Sequence, residues 1–165
     1  MSELRIVEKV VDEFSKIETI QTSEVMLWKE CKWYHHFLLK QKCNLKFKIA
    51  RFKDADETVL QYIFYTDITS SLLPMNISEN DSINFLLSNG ERIVLNCEKG
   101  SSSCEEGAVH KCYPYYLIPN EKIKELKTYN VEKVRLEAQG EIYDVILEEE
   151  NKELIKRALS LFDNL

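Results

Sequence analysis

The chain has 165 residues, 44% of them hydrophobic and 30% charged, with four Gly, three Pro and a net charge of −6. That length gives one domain with a core of its own, and so little Gly and Pro excludes a disordered or collagen-like chain. No apolar run reaches the roughly 18–20 residues that cross a bilayer, so no membrane insertion is expected, and the acidic balance argues against a general nucleic-acid binder.

The dominant hydrophobic period is two. Leu4, Ile6, Val7, Val10 and Val11 predict a first strand, and Thr19–Thr22 a short second one. Residues 24–43 stay open: Val25–Trp28 reads as strand, and Trp33–Leu39 as a helical turn or a buried strand. Leu45, Phe47 and Ile49 alternate with Lys46, Lys48 and Ala50, a half-buried strand with a basic outer face. Val59–Tyr65 is apolar on both faces and closes a hairpin over the turn at Asp54–Glu57.

Ser82–Leu87 and Glu91–Cys97 flank Asn89-Gly90. A two-residue type I′ turn there sets Leu86 opposite Ile93 and Phe85 opposite Val94, a central hairpin apolar on both faces. Glu98–Lys111 reads as a long loop. Asn120, after Pro119, predicts the N-cap of a helix with Ile123, Leu126 and Tyr129 on one side. Val131–Ala138 and Glu141–Leu147 form a last hairpin around Gln139-Gly140. Its register pairs Arg135 with Asp144 on the wetter face and groups Val134, Leu136, Ala138, Tyr143 and Val145 on the drier one. From about Glu149 to Phe162 the pattern turns helical, with Leu154, Ile155, Ala158, Leu159 and Phe162 as the apolar stripe. The expected fold is therefore mainly β to α+β. It is an antiparallel, sandwich-like single domain over residues 1–165, with a short helix before the last hairpin and a C-terminal helix closing one face.

The order Tyr113-Pro114, Ile118, Pro119, Glu121, Ile123, Leu126, then Val131–Leu136, then Glu141–Asp144 and a terminal amphipathic helix resembles a group of small uncharacterised bacterial proteins of Bacteroidetes type. Asp12–Phe14, Thr19–Ser23 and the hairpin Leu86–Ile93 share in the likeness. It covers about two thirds of the chain, and its motifs are turns, strand pairs and a helix cap. It implies a fold and no activity. Trp28–Cys43 lies outside it, and Glu98–Lys111 is poorer in small residues than the group's loop.

Three constellations could carry chemistry. Cys97, Cys104, His110 and Cys112 form a Cys3His set spaced C-x6-C-x5-H-x-C, the ligand types zinc takes, although not at a common knuckle spacing. Buried small residues and loop bystanders explain the same four positions. Cys31 and His35 at i and i+4, with His36 and Cys43, would share a face if that stretch were helical. The third is basic and aromatic: Trp28–Lys53 carries eight cations and one acid, hence +7, leaving −13 for the rest of the chain. Trp28, Trp33, Lys46 and Lys48 would there contact an anionic ligand or a single-stranded nucleic acid. The plainer alternative turns the rings to the core and the lysines to water or to acids on neighbouring strands.

No nucleophile elbow, catalytic cysteine signature or phosphate-cradling glycine loop is present in the sequence. Five cysteines, an odd number with no CxxC pair, predict thiols in a reducing cytoplasm; an exported form lacking its leader, with a bridge such as Cys104–Cys112, is the alternative. The expected function is a non-enzymatic binding or structural module without a cofactor, open to a protein partner. A zinc- or thiol-dependent enzyme centred on Cys97–Cys112 is the competing class, and an anion binder over residues 28–53 the third.

Overall fold

The computed structural model describes residues 3–13, 15–34, 39–54, 56, 59–70, 76–101, 104–106, 109–163 and 165, the side chains of 30–34, 39–42, 59–60 and 104–106 excepted. The fold is built on two long antiparallel strands, β4 (Leu39–Lys53) and β5 (Val59–Ser70). Each outer edge of this pair takes two shorter strands in tandem. β3 (Val25–Tyr34) and β2 (Glu18–Thr22) line β4, while β9 (Val109–Cys112) and β10 (Tyr115–Ile118) line β5.

Both tandem edges are broken where the backbone cannot continue its ladder, and a buried threonine lies at each break. Thr22 Oγ1 accepts the Ile49 amide at 3.0 Å. On the other edge Pro114, which has no N–H to give, offers its carbonyl to the amide of Thr66 at 3.1 Å and to Thr66 Oγ1 at 2.9 Å. β1 (Ile6–Val11) extends the sheet beyond β2. A small β8 (Cys104–Glu106) pairs β9, so part of the expected 98–111 loop is a hairpin.

β7 (Arg92–Lys99) joins two sheets. Its last residues pair β10, and its first five pair β6 (Ser82–Leu87); β11 (Val131–Ala138) and β12 (Glu141–Ile146) follow. The inner faces meet in one continuous core, where Phe47 stacks on Phe64 at 5.1 Å and Phe64 meets Phe85 edge-on at 5.4 Å. The architecture is thus mainly antiparallel β with two short helices. Among the described residues no helix is long and apolar enough to cross a membrane.

The two glycine hairpins differ in register. Gln139 and Gly140 take φ of 54° and 79°, the positive pair of a type I′ turn, and Arg135 faces Asp144 as the sequence predicts. At the other, the Leu87 amide reaches the Glu91 carbonyl and only Gly90 has positive φ, 87°. The loop therefore holds three residues, Ser88–Gly90, and the pairing becomes Leu86↔Arg92, Phe85↔Ile93 and Asn84↔Val94, one residue from the expected register. One face is then fully apolar, and the other carries Ser82, Asn84, Arg92 and Asn96.

The expected first strand forms over Ile6–Val11, with Val7, Val10 and Val11 about half exposed because β1 lies beyond the core at the end of the strand order. Further corrections follow from packing. Tyr143, on the last strand, is also exposed and not part of the dry face. Asn120 is the first residue of α1 (Asn120–Thr128), and Pro119 holds the cap position. α2 spans only Leu154–Ser160, after a 3-10 turn at Glu149–Asn151. The Lys152 carbonyl accepts the Val131 amide at 3.0 Å, which takes an acceptor away from a longer helix. The stripe Leu154, Ile155, Ala158, Leu159 and Phe162 is buried as expected. α2 packs on α1 and β4, and Phe162 meets Tyr62 edge-on at 5.7 Å.

Candidate functional site

The four residues of the Cys3His set have different surroundings. Cys97 and Cys112 lie in the core on β7 and β9, flanking the fully buried Tyr116. The ladder sets Cys104 opposite Lys111, and Glu105, not a cysteine, opposite His110. Burial pushes the Cys97 thiol up to about 11, so on its own it is a protonated thiol at neutral pH. Cys112 is buried as well, and the Cys104 side chain, with any Cys104–Cys112 bridge, lies outside the described set. Among the described residues no group of three or more His, Cys, Asp or Glu could hold a metal ion. Cys31 lies on β3 opposite Lys42, so the helical turn assumed for Cys31 and His35 is absent there. His35 and His36 fall outside the described residues, and Cys43 pairs Glu30 and Ser70 on β4.

The basic-aromatic segment becomes the long β3–β4 hairpin. Its inward residues Leu45, Phe47 and Ile49 join the core, and Trp28 packs partly against it; the Trp33 side chain is outside the described set. Lys46 lies between two carboxylates, 2.9 Å from Glu24 and 3.5 Å from Asp67. The hydrogen bond to Glu24, with help from Asp67, holds its ammonium above the ordinary lysine range. Lys48 forms no ion pair among the described residues, and its Nζ stands 5.4 Å from the centroid of the Tyr65 ring.

Cross-strand register explains that contact and extends it. Lys48 on β4, Tyr65 on β5 and Tyr115 on β10 are direct neighbours in one row on the outer face of the long-stranded sheet. The two tyrosine rings lie 5.4 Å apart and tilted by 51°. Burial, reinforced by Tyr115, raises the Tyr65 phenol above its ordinary range, so the Tyr65 ring is a neutral hydrogen-bonding group at pH 7. Tyr113, two residues before Tyr115 across Pro114, is 47% exposed. Lys48, Tyr65 and Tyr113 line a pocket of about 260 Å³ with Glu24, Asp67 and Thr66. Its two carboxylates are answered by Lys46 behind them and Lys48 beside them, a balanced lining that suits a neutral polar ligand better than a polyanion.

Of the binding residues expected from sequence, the structure brings Lys46 and Lys48 to this face. Glu24, Tyr65, Asp67, Tyr113 and Tyr115 were missed. The alternation Tyr113-Pro114-Tyr115 and the triplet Ile63, Tyr65, Asp67 carry a local signal for outward residues, but nothing local joins strands fifty residues apart.

No family model matches the chain, and neither a curated protein nor a solved structure matches it. The likeness to the small bacterial proteins therefore carries no family assignment.

Proposed function

We propose that the protein is a non-enzymatic binding module whose recognition surface is the outer face of the long-stranded sheet. The observation that carries this reading is the row Lys48–Tyr65–Tyr115, whose first two members line a pocket together with Tyr113. The two tilted rings present apolar faces, and Glu24 and Asp67 offer carboxylate oxygens at the rim. The ligand is then a neutral molecule with a flat ring and hydroxyl or amide donors, met in a cytoplasmic setting. A thiol enzyme is disfavoured by the protonated, buried Cys97.

Amide-shift titration of the labelled full chain tests the reading with three probes: a neutral disaccharide, adenosine and a thymidine oligonucleotide. Binding of a neutral probe, with shifts clustered at residues 63–67 and 113–115 and lost in Y65A and Y113A, is the expected result. Binding of the oligonucleotide alone, at Lys46 and Lys48, would favour an anion-binding segment. No clustered shift with any probe removes this face as the site.

A further inference from the structure

The second sheet has an outer face of different chemistry. Its register lays out three rows across β7, β6, β11 and β12. The first reads Arg92, Leu86, Lys133, Ile146; the second Val94, Asn84, Arg135, Asp144; the third Asn96, Ser82, Glu137, Ile142. Arg92 and Lys133 thus stand on either side of Leu86, two strand spacings or about 10 Å apart at the backbone, with Arg135 diagonally behind. These residues line a pocket of about 220 Å³ with Asn84 and Asp144.

Both guanidinium groups are held from one side. Arg92 donates Nε and Nη2 to Asn84 Oδ1 at 2.9 and 2.6 Å, and Asn84 is itself buried and tied to Ser82 Oγ at 3.0 Å. Arg135 donates Nε and Nη2 to the two oxygens of Asp144 at 2.6 and 2.8 Å. Each arginine keeps Nη1 without an acceptor among the described residues, and the exposed Lys133 forms no ion pair or hydrogen bond among them. Two acids face this group. Asp144 is taken up by Arg135; Glu137 lies on the third row, 3.3 Å from Arg92 Nη2, and also accepts from Ser82 and Asn84.

We infer that this face binds a phosphate monoester, its phosphoryl group over Leu86 between Arg92 and Lys133 and its apolar part on Ile146. Three cationic donors converging from two strands, Arg92 on β7 and Lys133 and Arg135 on β11, match a dianion with three terminal oxygens, and the fixed guanidinium forks suit phosphate geometry. Ile146, 68% exposed beside Lys133, supplies the apolar shelf.

The test uses the labelled full chain with inorganic phosphate and with phenyl phosphate. Saturable shifts at Leu86, Arg92 and Lys133 are expected, with phenyl phosphate the tighter. R92Q and K133E should each weaken binding by about tenfold or more, while K133R retains it. No saturable shift with either probe, shifts confined to the Lys46–Lys48 face, or undiminished binding in K133E overturns the proposal. Equal affinity for the two probes overturns its apolar half. An unchanged amide spectrum away from the face shows that each variant is folded.

Discussion

Among single residues, Cys97 and Asp144 show environment moving an ionisable group in opposite senses. Cys97 is 4% exposed, and desolvation of its thiolate dominates. Alkylation of the native chain at pH 7–8 should therefore spare Cys97, whereas denaturation without reductant should expose all five cysteines to reagent; mass spectrometry of the labelled peptides counts them. Early modification of Cys97 in the native state would contradict its burial. For Asp144, the hydrogen bonds from Arg135 hold its carboxyl below the ordinary aspartate range. A depressed native pKa contributes stability that is complete above the unfolded value and is lost as pH falls through the native one. Any stability gap between the native chain and D144N should thus be present at pH 7 and close as pH falls below the ordinary aspartate range and through the depressed native value; thermal melts across an acid pH series read it.

At the scale of elements, the last hairpin is held by a turn residue that is not the best for its conformation. Gln139 sits at φ 54°, and its amide donates to Asp81 Oδ1 at 3.2 Å. Asn tolerates the left-handed region better and leaves the backbone N–H in place, so Q139N should raise stability by about 0.5–1 kcal/mol. Denaturant titration would show the gain as a higher midpoint at unchanged slope. The hairpin at Gly90 has no such simple rule: Asn89-Gly90 is compatible with both loop lengths, and Asn89 Oδ1 accepts the Glu91 amide at 3.0 Å within the longer one. Leu86 then turns outward and becomes the floor between Arg92 and Lys133.

For the whole molecule, α2 is a part of the core and not an appendage. Ile155, Ala158 and Leu159 have no exposed surface, and Arg51 on β4 donates to the Phe162 carbonyl at 2.9 Å with its guanidinium over the Phe162 ring. Lys127 on α1 also pairs Asp163. Leu159→Ala should cost about 2–5 kcal/mol through lost burial and the cavity left behind. Deleting residues 149–165 should leave a chain without a cooperative melt; a truncated domain melting at the original temperature would show instead that the helix is dispensable.

The sequence by itself determined what acts over a few residues. Period-two alternation marked the strand around Phe47, an apolar run bounded by a turn marked the one around Phe64, a positive-φ dipeptide set the register of Arg135 against Asp144, and 3.6-residue spacing marked the stripe of α2. Tertiary structure alone decided which strands became neighbours. Lys48, Tyr65 and Tyr115 form a row only because β4, β5 and β10 pair, and Arg92 meets Lys133 across Leu86 only because β6 lies between β7 and β11. Local rules decide which face of a strand is apolar. Partners are chosen by the burial of all those faces at once, which no window of the sequence contains.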